Sequence, residues 1–414
     1  MRRIPIIALF TANAISNVGN VLAAIAIPWF VLQTTGSAAQ TGITGFFTIL
    51  PVVVAGFFGG TLVDRMGYRR TSIVADLASG VTVALIPLLH FTIGLEFWQL
   101  MVLVFLGGLL DAPGSTARTA LIPDLATAAD MPLERATSMA QVVERASRLG
   151  AAPVAGVLIS LMGTANVLWL DAASFVISAA LIGALVTVAP AASKKPAGGR
   201  YIDEVLDGLR FMRSHTLVLS MIIIVMITNL LDAAFGGVLL PVYVNEVYGS
   251  PVNIGLFMGA LGGGAVVGGL IYGAIGHRLP RYVTFVGMFI LTSLYTWGFA
   301  LFLPFPLILV GAAIAGIGAG PLNPIIDTVI FERVPSDMRG RVLGTIQAGA
   351  WMTMPLGMLL AGVLTELLGL RTLLLAVALA YVATTLSMLL NPVLRQLNDR
   401  VTPPKAIAEA EKAS

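Results

Sequence analysis

The sequence of 414 residues has no cysteine, and its three histidines, His90, His215 and His277, stand far apart. Without cysteine there is no disulfide framework, and neither thiolates nor imidazoles recur at metal-ligand spacing. Charge is scarce as well. Asp, Glu, Lys and Arg make up 11% of the chain, against roughly 25% in an average soluble domain. Such a chain cannot cover a water-facing surface of ordinary size. No glycine-rich loop ending in Gly-Lys-Ser/Thr occurs, which excludes ATP hydrolysis at a phosphate-binding loop. No catalytic triad or metal constellation stands out either, so the reading is of a chain that is not an enzyme and needs no cofactor. The net charge of +3 calls for no nucleic acid.

What the chain does have is hydrophobic residues, 57% of the total. They arrive in blocks of about 20–25, matching the ~20 residues a helix needs to cross the hydrocarbon core. Blocks of this length exclude the ~10-residue alternating strands of a membrane barrel. The expected class is an all-α integral membrane protein with 12 transmembrane helices, near 5–33, 38–62, 71–93, 97–120, 137–162, 167–189, 216–242, 252–275, 283–303, 306–331, 342–367 and 371–392. The 44 glycines and 22 prolines fall largely inside these blocks, where small residues allow close helix packing and neighbouring helices repair broken backbone bonds.

Charge position sets the orientation. With the N-terminus inside, of the 24 Lys and Arg residues only Arg371 falls at an outer end, and Arg145 and Arg148 lie within the fifth span. The positive-inside rule therefore places both termini in the cytoplasm. Trp29, Trp98 and Trp169 then lie near the outer interface, where a belt of tryptophans is expected. Met1-Arg2-Arg3 leads into an apolar segment too long for a signal-peptide core, so the first span is expected to remain.

The chain also repeats itself. At an offset of about 213 positions, Pro28, Gly36, Ser37, Gly42, Gly56, Gly60 and Arg65 meet Pro241, Gly249, Ser250, Gly255, Gly269, Gly273 and Arg278. Further on the offset changes by about seven, and Ala155-Gly156-Val157-Leu158 meets Ala361-Gly362-Val363-Leu364. The expected organisation is a first six-helix half over 1–189, a cytoplasmic linker over 190–215, a second half over 216–393 and a cytoplasmic tail over 394–414. Six spans return each half to its starting side, so the repeats are parallel, and such repeats enclose a site near the bilayer midplane. Tyr201 to Arg213 reads as an amphipathic helix lying on the anionic inner leaflet.

Between spans two and three stands Gly60-Thr61-Leu62-Val63-Asp64-Arg65-Met66-Gly67-Tyr68-Arg69-Arg70. This resembles the cytoplasmic signature of the major facilitator superfamily: glycine, Asp-Arg, a second glycine, then basic residues. A weaker echo, Gly273, His277 and Arg278, follows span eight. Gly60, Asp64, Arg65, Gly67, Arg69 and Arg118 are accordingly candidates for gating on the inner side. The stretch Gly150 to Val157, with Pro153 and Gly156, resembles a weakened glycine-proline motif of the antiporter branches. Leu121-Ile122-Pro123-Asp124 and the charged fifth span are similar to the macrolide-efflux and enterobactin-exporter branch. The fourth-span arginine of many drug–proton antiporters is absent near Leu103 to Phe105, and Asp111 is the charge carried there.

The resemblance implies that spans one, four, seven and ten line a central cavity. Asn13, Asn17 and Asn20 recur at helical spacing on one face of span one, and Asn229 and Asp232 share a face of span seven. Ionisable groups in hydrocarbon are costly and mark functional positions. Asp232 lies ~22 Å from the inner surface by helical rise and is the first candidate for proton coupling. Asp111, ~10 Å deep, and Glu144 are the others, Glu144 being spaced to pair with Arg148. Asp76 is expected to join the neighbourhood of Asp64 and Arg118, while Asp171 lies on a span expected at the periphery. Phe235 and Trp351 are candidates for an apolar cavity wall beside Asn13, Asn17, Asn20 and Asn229.

The expected function is secondary active transport, driven by a proton gradient and exporting bulky amphipathic compounds such as macrolide-like drugs or siderophores. The partners are then a small amphipathic substrate, protons and membrane lipids, with the chain acting as a monomer in a bacterial cytoplasmic membrane. An uptake symporter or a lipid transporter of the same fold is the alternative within transport. A non-transporting receptor or scaffold is the alternative outside it.

Overall fold

The structure, a computed structural model, describes residues 3–187, 210–334 and 339–399, with the side chains of 56–65, 339–341 and 343 outside the described set. The linker and most of its amphipathic segment, like the tail beyond 399, lie outside the described residues. Every described element is helical. The first seven helices are α1 (Ile4–Thr35), α2 (Ala38–Met66), α3 (Tyr68–Thr92), α4 (Phe97–Ala120), α5 (Ile122–Ala128), α6 (Leu133–Met162) and α7 (Thr164–Leu185). Then come α8 (Thr216–Ala234), α9 (Leu240–Val247), α10 (Val252–Ile275) and α11 (Arg281–Ala300). The last are α12 (Phe305–Ala319), α13 (Leu322–Arg333), α14 (Arg339–Leu368) and α15 (Leu370–Leu390), followed by a 3-10 turn at Pro392–Asn398.

Among the described residues, 11 helical stretches are long and apolar enough to cross a membrane. Each falls on one of the expected spans. The twelfth, α6, has 30 residues, but charges in its first half lower its hydropathy. Two spans are less regular than a single apolar run suggests. A five-residue π turn, Phe235–Leu239, joins α8 to α9. Pro321, which lacks the amide hydrogen a continuing helix needs, separates α12 from α13. Six other prolines, Pro28, Pro51, Pro87, Pro113, Pro153 and Pro355, sit inside helices, as the lipid-embedded setting tolerates.

By contacts the chain divides into two compact units. The first comprises residues 1–196, 232–259 and 354–373. Within it α1 packs on α7, α6 and α2, α3 packs on α4 and α7, and α2 packs on α4. At the end where the chain begins, the near end, a core of Ile6, Leu9, Phe10, Leu121, Leu125 and Ile182 closes the bundle. At the far end, Gly42 of α2 meets Gly362 of α14. A Cβ on Gly42 would stand 2.5 Å from the carbonyl oxygen of Met358, and one on Gly362 would stand 2.6 Å from that of Ala38. Only hydrogen fits there. Alongside, the Glu366 carboxylate accepts hydrogen bonds from the Ser37 hydroxyl at 2.9 Å and the Ala39 amide at 3.0 Å.

The second unit comprises residues 197–231, 260–353 and 374–414. Its core joins Leu217, Met221 and Ile224 of α8 to Phe285 and Phe289 of α11, Ile325 of α13 and Met388 of α15. Arg281 at the start of α11 makes a two-pronged pair with Glu332 of α13, at 2.6 and 2.7 Å. The Asn398 side chain accepts from the Tyr282 amide at 3.0 Å, tying the 3-10 turn to the same end.

Trp29 departs from expectation. It is 1% exposed and belongs to the helix-packed face of α1, whereas a belt tryptophan faces lipid headgroups. Trp98 and Trp169 remain exposed, at 65% and 39%.

Candidate functional site

Among the described residues, a dense buried polar cluster is assembled by four helices of the first unit. Arg118 lies in the last turn of α4, where the positive end of a side chain complements the helix dipole. Its guanidinium is 2% exposed. Nη1 pairs with the Asp76 carboxylate of α3, and Nε donates to the Asn13 side-chain oxygen of α1 at 2.8 Å. The other Asp76 oxygen accepts from the Ser178 hydroxyl of α7 at 2.7 Å. Asp76 is thus fully buried, paired and hydrogen-bonded, the condition under which a charge survives away from water.

Asp111 lies two helical turns earlier on α4. Its Oδ2 accepts from the Asn20 side chain at 3.2 Å, and its Oδ1 stands 3.6 Å from Arg118 Nη2. That Oδ1 is buried and accepts no hydrogen bond. The carboxylate as a whole keeps 22% exposure, so water reaches it while Arg118 and Asp76 stay dry. Fully ionised, the three groups carry one net negative charge. The surplus rests on the member that solvent can touch.

The signature loop is described in part. Gly67 caps α3 with φ at +80°, the left-handed region where a Cβ is strained, which accounts for the second glycine of the motif. Arg69 donates to the backbone carbonyls of Ile182 and Gly183, fastening the start of α3 to the end of α7. The side chains of Gly60, Asp64 and Arg65 lie outside the described residues.

Residues 9–306 and 299–413 match the family model described as the Major Facilitator Superfamily. The chain belongs to this superfamily. It is a multi-pass membrane transporter of all-helical fold. The multidrug efflux pump Tap of Mycobacterium tuberculosis is 33% identical over 400 residues, covering 95% of each chain. The macrolide efflux protein A of Streptococcus pyogenes is 22% identical over 370 residues, covering 87% of this chain and 89% of its own. The fold is shared with the nucleoside transporter NupG, with a TM-score of 0.76 at 12% identity over 93% of this chain and 98% of that one. It is shared too with a bacterial homologue of the human lysosomal transporter Spinster, at a TM-score of 0.73 and 15% identity over 97% and 99%.

The other candidate residues of this transporter are placed as follows. Asn13 and Asn20 both turn to α4, one as acceptor for Arg118 and one as donor to Asp111; Asn17 between them is half-buried. Asn229 donates to the Ala350 carbonyl at 3.0 Å, bracing α8 against α14 within the second unit. Asp232 is exposed on α8, three residues ahead of the π turn, and π turns frequently mark functional positions. Phe235 is 2% exposed and packs against Phe257, with ring centroids 5.9 Å apart. Trp351 is 40% exposed. Glu144 pairs with Arg148 at 3.1 Å on the exposed face of α6. Asp171, 1% exposed, is buried in α7 with the Ser174 hydroxyl 3.5 Å from its Oδ1. Ser178 and Glu366 carry contacts that no sequence motif announced.

Proposed function

We propose that the chain is a proton-coupled exporter of bulky amphipathic compounds, macrolide-like drugs among them, working by alternating access in a bacterial cytoplasmic membrane with both termini inside. The observation that carries the reading is the α1–α3–α4–α7 cluster. A dry Asp76–Arg118 pair holds one wetted carboxylate, Asp111, at an intramembrane position where an unneutralised charge is costly. Uptake of a proton by Asp111 removes the surplus charge and weakens its hold on Asn20 and Arg118. A ligand that binds differently to the two forms then biases the conformational equilibrium by that difference in affinity. Asp232, exposed on α8 beside the π turn, is the second carboxylate of the scheme. The efflux pumps among the relatives support export and the drug-like class of cargo.

The test is substrate-induced proton movement in inside-out vesicles, screened over macrolides and cationic dyes. Wild type is expected to exchange protons for drug. Asp111→Asn is expected to bind drug but to lose proton exchange, and Asp232→Asn to reduce it. Undiminished proton exchange in Asp111→Asn sinks the assignment, and transport that persists without any proton gradient sinks the energetic scheme.

A further inference from the structure

Asp171 lies on a span that the sequence places at the periphery, yet its side chain is 1% exposed and turned toward α1. A Cβ on Gly19 would stand 2.4 Å from Asp171 Oδ1 and 2.1 Å from the Ser174 hydroxyl. The glycine leaves a notch in α1, and the carboxyl group fills it. The next residue of α1, Asn20, donates to Asp111 at 3.2 Å. Consecutive positions of one helix thus adjoin two carboxyl groups, one dry and one reached by water.

No cation among the described residues balances a charge on Asp171. The Ser174 hydroxyl, 3.5 Å from its Oδ1, donates to the Asp171 backbone carbonyl at 2.7 Å. Of the helices packed on α7, α1 carries no ionisable side chain. On α3, Asp76 is taken by Arg118, Arg69 by the carbonyls of Ile182 and Gly183, and His90 packs edge-on against Phe30, while Arg70 is exposed. The charges of α6, Glu134, Arg135, Glu144, Arg145 and Arg148, are exposed as well. On α4, Arg118 is engaged with Asp76 and Asn13, which leaves Asp111 as the charge acting on Asp171, and it is a like charge. An ionised carboxylate in that setting has nothing to offset its cost. The seam beside it is polar. Ser16, one turn from Gly19 on the same face of α1, is fully buried and makes no hydrogen bond among the described residues. Buried hydroxyls of this kind are where ordered water binds.

We propose that Asp171 is a second proton-binding residue of the exporter, carrying a proton in this conformation and exchanging it through Asp111. The O–H bond of the Asp171 carboxyl breaks, and its proton passes to the ionised Asp111 by way of water at the Gly19–Ser16 seam. Asp111 hands the proton on to solvent, and Asp171 is left ionised. The same steps in reverse reload it. Asp111 is the port, Asp171 is the store, and the two titrate as a pair. The place of Asp171 in transport rests on the proton-coupled reading, whereas its protonation stands apart from that reading. The inference adds a second proton to the exchange and names the residue that holds it.

Infrared difference spectroscopy reads carboxyl protonation without any substrate, so a failed coupling scheme leaves its outcome readable. The full-length protein in phosphatidylcholine liposomes near neutral pH is compared with the isosteric Asp171→Asn and with Asp111→Asn. Wild type and Asp111→Asn are expected to show a protonated-carboxyl stretch, shifted in heavy water, that Asp171→Asn lacks. Gly19→Ala pushes a methyl group into the notch and is expected to displace the same band. Coincident spectra of wild type and Asp171→Asn overturn the proposal, as does a band unmoved by Gly19→Ala. With a dye or macrolide that wild type exports, Asp171→Asn in inside-out vesicles is expected to move about half as many protons per exported molecule. An unchanged proton count overturns the role in exchange. Wild type that shows the band but moves no protons sinks the proton-coupled reading, and with it the exchange but not the protonation.

Discussion

Replacing Arg118 by methionine removes the cation from the α4 cluster and leaves Asp76, 0% exposed, with Ser178 as its partner. Breaking a buried pair from one side costs about 3–5 kcal/mol, because the surviving charge has no compensation. Asp76→Leu is expected to cost less, since Arg118 keeps Asn13 at 2.8 Å and Asp111 at 3.6 Å. The attraction between Arg118 and Asp111 has an upper bound of about 4–5 kcal/mol, taking 332/(εr) with an effective ε of about 20. Solvent at the 22%-exposed Asp111 lowers that value substantially. The combination Arg118→Met with Asp76→Leu removes both dry charges together and replaces them with apolar volume. It is expected to recover at least about 2 kcal/mol relative to the sum of the single losses. The assay is reversible unfolding in mixed micelles, followed by helical circular dichroism, for wild type, both single variants and the double. The expected order of instability is Arg118→Met above Asp76→Leu, with the double variant milder than Arg118→Met. Additive losses, or an Arg118→Met protein as stable as wild type, would refute the reasoning.

The far end of the first unit yields two further predictions. Gly42→Val or Gly362→Val places a branched side chain where 2.5 and 2.6 Å are available; the protein is expected to insert but to lose drug export in an accumulation assay. Glu366→Gln weakens the charge-assisted contacts to Ser37 and Ala39, and labelling of an Ala39→Cys variant by a membrane-impermeant maleimide is expected to quicken several-fold, with a smaller effect for Ser37→Ala. In the second unit, reversing Arg281 to Glu is expected to cost about 1–3 kcal/mol in the unfolding assay, from the loss of a two-pronged charged contact. Adding Glu332→Arg restores the pair with opposite polarity, and failure to regain at least part of the loss would show that packing and not charge governs that site.

The spans were legible because a bilayer imposes a length on each of them, and eleven of the twelve follow from apolar runs of about the same size. The irregularities inside them were not. Phe235-Gly236-Gly237-Val238-Leu239 is apolar and reads as continuous α-helix, since a π turn has no compositional mark. Trp29 looked like a belt residue because its depth along the chain was right, whereas its azimuth around α1 is set by packing that the sequence does not display. At the candidate site, Asp76 and Arg118 were recognisable as costly charges near the same surface, but the ion pair between them emerges only from the packing of α3 on α4. Ser178 was invisible beforehand, because one serine among many in apolar helices carries no periodic or charge signal. The Glu366–Ser37 contact joins residues at opposite ends of the chain, and no local pattern encodes a meeting of that kind.

The charges inside α6 bear on how the chain is made. On insertion scales a charged residue at a helix centre costs about 2.5–3.5 kcal/mol, and α6 carries Glu144, Arg145 and Arg148 well inside its length. Emerging from the ribosome alone, this segment is a poor substrate for the insertion machinery. Its folded partners include α1, synthesised far ahead of it, α5 just before it and α7, which follows immediately. Ala136, Ala140 and Val143 form the edge by which α6 docks on the near-end core of the first unit. The fifth span is therefore seated by its neighbours more than by its own hydrophobicity.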